Sequence, residues 1–283
     1  MGVPSEADPA VLDAAANAPE RIGDRVRGGS IGWGAPLLMA FLRLPLIAVG
    51  IGLAYVFFAL GGYAEPFLLS LTTPTFLMLL VNLISLALLA RLTAREGIRL
   101  RDLIGFDRAL FGRDVGLGLL WLVVLNVPFV VAIMLTTVAL TRPADAQAVG
   151  EGFEQVFAGR ADQALAAVEF PLWWAILTVA SFSLLNPVVE EMHYRGYVQP
   201  RLAALSGRSW VGVGVTAVGF AAQHITYAYT GAAMLVYFVA FLVWGTGAGL
   251  IYRWQRRLPS LIVTHFVVNA SFGVLPLVLV LAG

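Results

Sequence analysis

The chain has 283 residues, 59% of them hydrophobic and only 12% charged, with a mean hydropathy of +0.84, far from the quarter-charged balance of an ordinary soluble domain. Its 17 acidic and 18 basic residues lie almost wholly between long uncharged runs, the spacing of membrane-spanning helices, which excludes a soluble one-core enzyme. A net charge of +1 offers no field for nucleic acid, and the absence of cysteine removes disulfides, thiolate zinc sites and a Cys nucleophile together.

Along the chain, residues 1–36 are polar and rich in Ala, Pro and Gly, with Arg21, Arg25 and Arg27 but no apolar core and cleavage site of the secretory type, and they read as a disordered cytoplasmic tail. Apolar runs long enough to cross roughly 30 Å of hydrocarbon follow at 37–60, 68–90 and 115–140. Four more lie at 172–185 with a continuation past Pro187, then at 210–224, 232–252 and 258–281. The expected fold is an all-α polytopic transmembrane helical bundle of about seven spans, six to eight at the limits. Residues 37–170 carry helices without a motif, and residues 171–283 carry the chemistry.

Arg distribution sets the expected orientation. Arg91, Arg95, Arg99, Arg101, Arg108 and Arg113 follow the second span, and Arg253, Arg256 and Arg257 precede the last, so these loops should face the cytoplasm. The acidic loop 141–171 and the loops near Glu65 and Gly231 should face outward, which puts the N-terminus inside and the C-terminus outside. All 18 basic residues are Arg and none is Lys, a bias that points to a GC-rich bacterial gene and so to a bacterial inner membrane. Two features modify individual helices. Asn186-Pro187 should break the fourth span, because Pro lacks a donor and clashes with the preceding turn. Gly245, Gly247 and Gly249 form a small-residue stripe that serves close helix packing or, alternatively, a groove for an extended peptide.

Ionisable residues beside apolar helix draw attention because burying one costs around 2.5 to 3.5 kcal/mol. The set is Glu190, Glu191, His193, Arg195, His224 and His265, and it holds all three histidines of the chain. If 206–209 is the turn of an antiparallel helical pair, Glu190 lies 17 residues before Gly207 and His224 lies 17 after it, level on facing helices. His265 and Asn269 are i and i+4 on the last span, with His265 about 10 Å deep. Taken as a straight span from the cytoplasmic surface, the helix carrying His224 would place it about 21 Å deep, so the pair 190–224 should project beyond the cytoplasmic face.

A carboxylate, two imidazoles and an amide at one point can hydrolyse without a Ser or Cys nucleophile: the carboxylate takes a proton from water, imidazoles position that water directly or through a metal, and the amide donates to an oxyanion. Glu190 and Glu191 point about 100° apart, so their roles should differ. Glu191 and Arg195, at i and i+4, favour a charge pair that leaves Glu190 freer as the base. His193 shares the face of Glu190 at i+3, but a di-metal site needs a second such pair and further buried carboxylates, so His193 reads as packing or support. There is no HExxH, no GxGD on a span and no GxSG.

The strings Glu190-Glu191-Met192-His193-Tyr194-Arg195, Phe220-Ala221-Ala222-Gln223-His224 and His265-Phe266-Val267-Val268-Asn269 resemble the EExxxR, FxxxH and HxxxN motifs of the CPBP family. That family comprises type II CAAX prenyl endopeptidases, bacteriocin-processing and self-immunity proteins, and abortive infection protein relatives. Family members commonly have Phe where this chain has Tyr194. The resemblance implies an intramembrane endopeptidase acting on peptide or membrane-protein substrates, with Glu190 as general base. It implies His224 and His265 as ligands of the water or of a metal, Asn269 as a supporting or oxyanion donor, and Glu191 and Arg195 completing the first motif. The family has been described both as metalloproteases and as metal-free glutamate proteases. Glu190, His224 and His265 suffice as ligands of zinc or another divalent metal and equally suffice to hold a bare water. A catalytically idle relative that binds a peptide or partner, as in bacteriocin immunity, is the competing reading; a transporter is disfavoured by the missing internal repeat.

Overall fold

The computed structural model describes residues 17–157 and 172–282, and these are helical throughout apart from turns. In chain order the helices are α1 (Pro19–Arg27), α2 (Gly34–Phe41), α3 (Arg43–Leu60), α4 (Pro66–Ser70), α5 (Pro74–Arg95), α6 (Phe111–Thr141) and α7 (Ala146–Phe157). The second half comprises α8 (Leu172–Thr178), α9 (Asn186–Glu191), α10 (Gln199–Ser206), α11 (Ser209–His224), α12 (Gly231–Gln255) and α13 (Pro259–Ala282). Two π-helical segments, Val179–Leu185 and Met192–Val198, join α8 to α9 and α9 to α10, so the chain stays helical from α8 to α10.

The distribution of polarity is that of a bundle in lipid. Leu53, Phe57, Leu60, Val127 and Leu135 lie on the outside, Leu60 being 85% exposed, while Arg43, Asn82, Glu190, His193 and Arg195 are sealed inside. A soluble protein would invert this arrangement. Among the described residues five helical stretches are long and apolar enough to cross a membrane: Arg43–Leu60, Pro74–Arg95, Leu100–Thr141, Ala175–Ser206 and Gly231–Gln255. The two further spans expected from the sequence differ from these five. Helix α11 has 16 residues, about 24 Å of rise, and the described apolar part of α13 is the shorter stretch Pro259–Phe272. Ala175–Ser206, at 32 residues, is about 48 Å long, well beyond what a span requires.

Two sequence expectations are corrected. Pro187 does not break the fourth span: the helix passes through it, and the preceding π-helical turn widens the backbone just where the proline ring would clash. Nor is the chain before residue 36 uniformly disordered. Residues 1–16 lie outside the described residues, but α1 is a helix that opens with a proline at its start, buries Ile22 completely and packs on α10. Asn17 fastens its entrance, donating from Nδ2 to the Gly196 carbonyl at 3.2 Å and accepting from Arg201 at 3.2 Å.

The two Arg-rich loops meet at one end of the bundle. Leu258 N–H donates to the Ile104 carbonyl at 3.0 Å, Arg257 pairs with Asp114 at 2.7 Å, and Arg201 pairs with Glu96 at 2.5 Å. The stretch 158–171 of the acidic loop lies outside the described residues. Its described part, α7, packs on the beginning of α12, where Thr230 Oγ1 donates to the Val156 carbonyl at 2.8 Å.

Glycines set the tightest approaches. A Cβ at Gly219 of α11 would stand 2.0 Å from the Ala40 carbonyl of α2, and one at Gly212 would stand 2.4 Å from the Gln199 carbonyl of α10. The Gly245 to Gly249 stripe is also packing: Gly245 faces Ala217 and Phe220, Gly249 faces Gln199 and Val213, and Gly247 looks the other way onto Leu125. These neighbours fill the groove that the sequence left as an alternative.

Candidate active site

Glu190 and Glu191 close α9 and are each about 1% exposed. As helix geometry requires of adjacent residues, they face different partners. Glu191 Oε1 accepts from Arg195 Nη1 at 3.2 Å, the expected i, i+4 pair, and from His265 Nδ1 at 3.0 Å. Arg195 lies with its guanidinium 4.4 Å from the Phe220 ring centroid, so this pair is walled by an aromatic face.

Glu190, read from the sequence as the freer of the two carboxylates, has a charge partner of its own. Its Oε1 accepts from Arg43 Nη2 at 2.9 Å and from Gln223 Nε2 at 2.8 Å. Its other oxygen, Oε2, is buried and accepts no hydrogen bond; it faces His265 Nε2 at 3.5 Å.

The imidazoles are held in defined tautomers by what lies behind them. Because the Phe220 carbonyl can only accept, His224 Nδ1 donates to it, at 2.6 Å, and leaves Nε2 with its lone pair. The same reasoning applies to His265, whose Nδ1 donates to the Glu191 carboxylate. Phe220 sits between the two rings, 4.5 Å from the His224 centroid and 6.2 Å from that of His265. Phe241 stacks on His224 at 3.7 Å with its plane tilted by 15°. Glu191→Ala, which removes the acceptor altogether, is expected to lower the initial rate per folded protein about 10–100-fold, the usual effect of removing the group that orients a histidine, as measured by cleavage in membranes at matched expression.

Asn269 and His193 stand apart from this group in their hydrogen bonding. Asn269 Nδ2 donates to the Phe182 carbonyl at 3.0 Å, and its own backbone carbonyl accepts from Ser183 at 3.1 Å, so it ties α13 to the π-helical turn before α9. One of its two amide hydrogens remains. His193 turns to α2, with Nε2 at 2.5 Å from the Met39 carbonyl, and packs beside Tyr194, in agreement with a supporting role. The Tyr194 ring meets Phe220 edge-on at 5.5 Å, so it fills an aromatic position as Phe would.

The sequence reading missed Arg43, Asn82, Asn186 and Gln223. Arg43 lies inside the first apolar run, where a fully buried charge is itself a signal, and Gln223 directly precedes His224. As for a metal, the imidazole nitrogens and Glu190 Oε2 are chemically competent donors. Among the described residues, however, no group of three or more His, Asp or Glu side chains is gathered so as to hold an ion, and Arg43 already balances the Glu190 charge.

Two buried carboxylates and two imidazoles with fixed partners thus lie together inside an apolar helical bundle. Residues 172–271 match the family of type II CAAX prenyl endopeptidase Rce1-like proteins. The matched segment holds all three motifs and every sequence-predicted site residue, in accord with the CPBP resemblance. Arg43, Asn82 and the rest of α1 to α7 lie outside this Rce1-like segment. No curated protein and no solved structure matches the chain.

Proposed function

We propose that the chain is an intramembrane endopeptidase that hydrolyses peptide bonds of membrane-associated proteins or peptides with a water activated by Glu190. The Rce1-like match supports a CAAX protease-type enzyme, and the observation that carries the mechanism is the divided use of the Glu190 carboxylate. One oxygen is saturated by Arg43 and Gln223, while the other faces the lone pair of His265 Nε2 at 3.5 Å.

Two acceptors facing each other call for a donor between them. A water there gives one hydrogen to Glu190 Oε2 and the other to His265 Nε2. As the water oxygen attacks the peptide carbonyl carbon, Glu190 takes its proton, the carbonyl π electrons move to oxygen, and the remaining Asn269 N–H donates to that oxyanion. Collapse of the tetrahedral intermediate breaks the C–N bond as Glu190 returns the proton to the leaving amine. Glu191 keeps His265 in the tautomer this requires, and Phe220 does the same for His224, whose Nε2 is a second acceptor for water or substrate N–H.

In this reading no step passes through a metal. Cleavage is expected to stay within twofold after exhaustive treatment with a chelator, and a loss restored by added zinc would overturn this part of the mechanism. The Arg-rich end of the bundle is inferred to face the cytoplasm.

The experiment that tests the function compares peptide termini in membranes from cells expressing wild type or Glu190→Gln at equal, folded levels. Termini found only with wild type are expected and would identify substrates. Identical termini would instead favour a protein that binds a peptide without cutting it.

A further inference from the structure

Arg43 opens α3, has no solvent exposure, and spends every N–H it has inside the protein. Nε donates to Gln223 Oε1 at 2.7 Å, and Nη1 donates to Asn82 Oδ1 at 3.0 Å and Ser85 Oγ at 3.3 Å. Nη2 donates to Asn186 Oδ1 at 2.7 Å and Glu190 Oε1 at 2.9 Å, with Met78 Sδ at 3.4 Å beside it. With five N–H groups so engaged, Arg43 has none left for a substrate or an oxyanion.

Its partners come from three helices. Met78, Asn82 and Ser85 belong to α5, Asn186 and Glu190 to α9, and Gln223 to α11. Gln223 closes a ring: its Oε1 accepts from Arg43 while its Nε2 donates to the Glu190 oxygen that Arg43 also holds, which fixes its amide orientation. Because both donors converge on Oε1, the carboxylate cannot rotate without breaking a buried charge-assisted bond, and Oε2 is left aimed at His265. A buried carboxylate held this way is stable only while its partner is present, since removing one member of a buried pair leaves an uncompensated charge.

We propose that Arg43 is the positioning residue of the reaction: it grips the base by one oxygen so that the other meets the water. The N-terminal helices, outside the Rce1-like segment, thereby become part of the catalytic unit. The proposal rests on the protease reading above, and two measurements on the full-length protein keep the two separable.

The first measurement is the thermal midpoint of wild type, Arg43→Met, Glu190→Gln and the double variant in detergent. Each single change is expected to lower the midpoint, and the double variant is expected to lie above the sum of the two losses, because it leaves neither charge alone. Strictly additive losses would overturn the proposal.

The second measurement is the rate at which wild-type-dependent termini accumulate in pulse-labelled membranes, normalised to folded protein. Arg43→Lys, which keeps the charge but not the forked geometry, is expected to slow it about 100-fold, in keeping with the cost of misplacing a reacting group by about 1 Å. Arg43→Met should be slower still. Should Arg43→Met destroy the fold, the comparison is carried by Arg43→Lys. A wild-type rate in Arg43→Lys would overturn this proposal alone. A wild type without Glu190-dependent cleavage would overturn the protease reading and this proposal with it.

Discussion

Glu190→Gln is expected to lose turnover by about 10²–10⁴-fold, the usual contribution of a positioned general base, while the protein remains inserted and helical. The amide keeps an oxygen where Oε1 stands, so Arg43 and Gln223 retain an acceptor. In place of Oε2, which accepts nothing in the wild type, it offers an N–H to His265 Nε2. The water loses its proton acceptor, and the imidazole loses its free lone pair. The check is the rate of appearance of new peptide termini, alongside the circular dichroism and detergent melting curve of the same preparation. A variant that still cuts within tenfold of wild type would remove Glu190 from the role of base.

The second large effect is structural. Gly219→Ala is expected to destabilise the fold by about 1–3 kcal/mol or more, the range for overpacking, because the new methyl would have to displace a backbone carbonyl and not a side-chain tip. The Cβ would stand 2.0 Å from the Ala40 carbonyl, on the contact that seats α2 against α11 three residues before Arg43. Activity should fall with the melting midpoint, since Arg43 and Gln223 depend on that contact to meet. Gly214, on the same helix, supplies the control: a Cβ there meets nothing within 4 Å, and Gly214→Ala should hold or raise the midpoint. Equal behaviour of the two variants would show that the close approach at Gly219 is unimportant.

Much of this architecture could be read from the chain. Run lengths and charge spacing gave an all-α membrane bundle, and the symmetry of Glu190 and His224 about Gly207 placed α9 and α11 together: Gln223, the residue before His224, touches Glu190. The i, i+4 spacing of Glu191 and Arg195 also held, and His265 meets both glutamates, whereas Asn269, one turn further on, bonds the Phe182 carbonyl. What the sequence concealed is contact across long separations. Nothing local to Arg43 announces a partner 147 residues away, and a lone Arg in an apolar run reads as the edge of a span. Pro187 misled for the opposite reason, since a local rule for helix breaking ignores the wider π-helical turn that makes room for the ring. Helix α11, read as a span from its hydropathy, has 16 residues, short of the about 20 that roughly 30 Å of hydrocarbon takes.

The Arg43 network also constrains how the protein can be made. During synthesis the first span emerges with its guanidinium long before Glu190, and an unpaired Arg costs up to about 2.5–3.5 kcal/mol at insertion, the figure for the centre of a span. Asn82 and Ser85 follow after 39 and 42 residues, in the very next span, and offer the charge its first acceptors. An α3–α5 hairpin can thus wait in the bilayer with its cation half satisfied, as a cradle into which the later glutamate is delivered. Assembly of the hydrolytic centre would then be the last step of biogenesis, and a nascent chain stalled before residue 190 would hold a waiting cation but no general base.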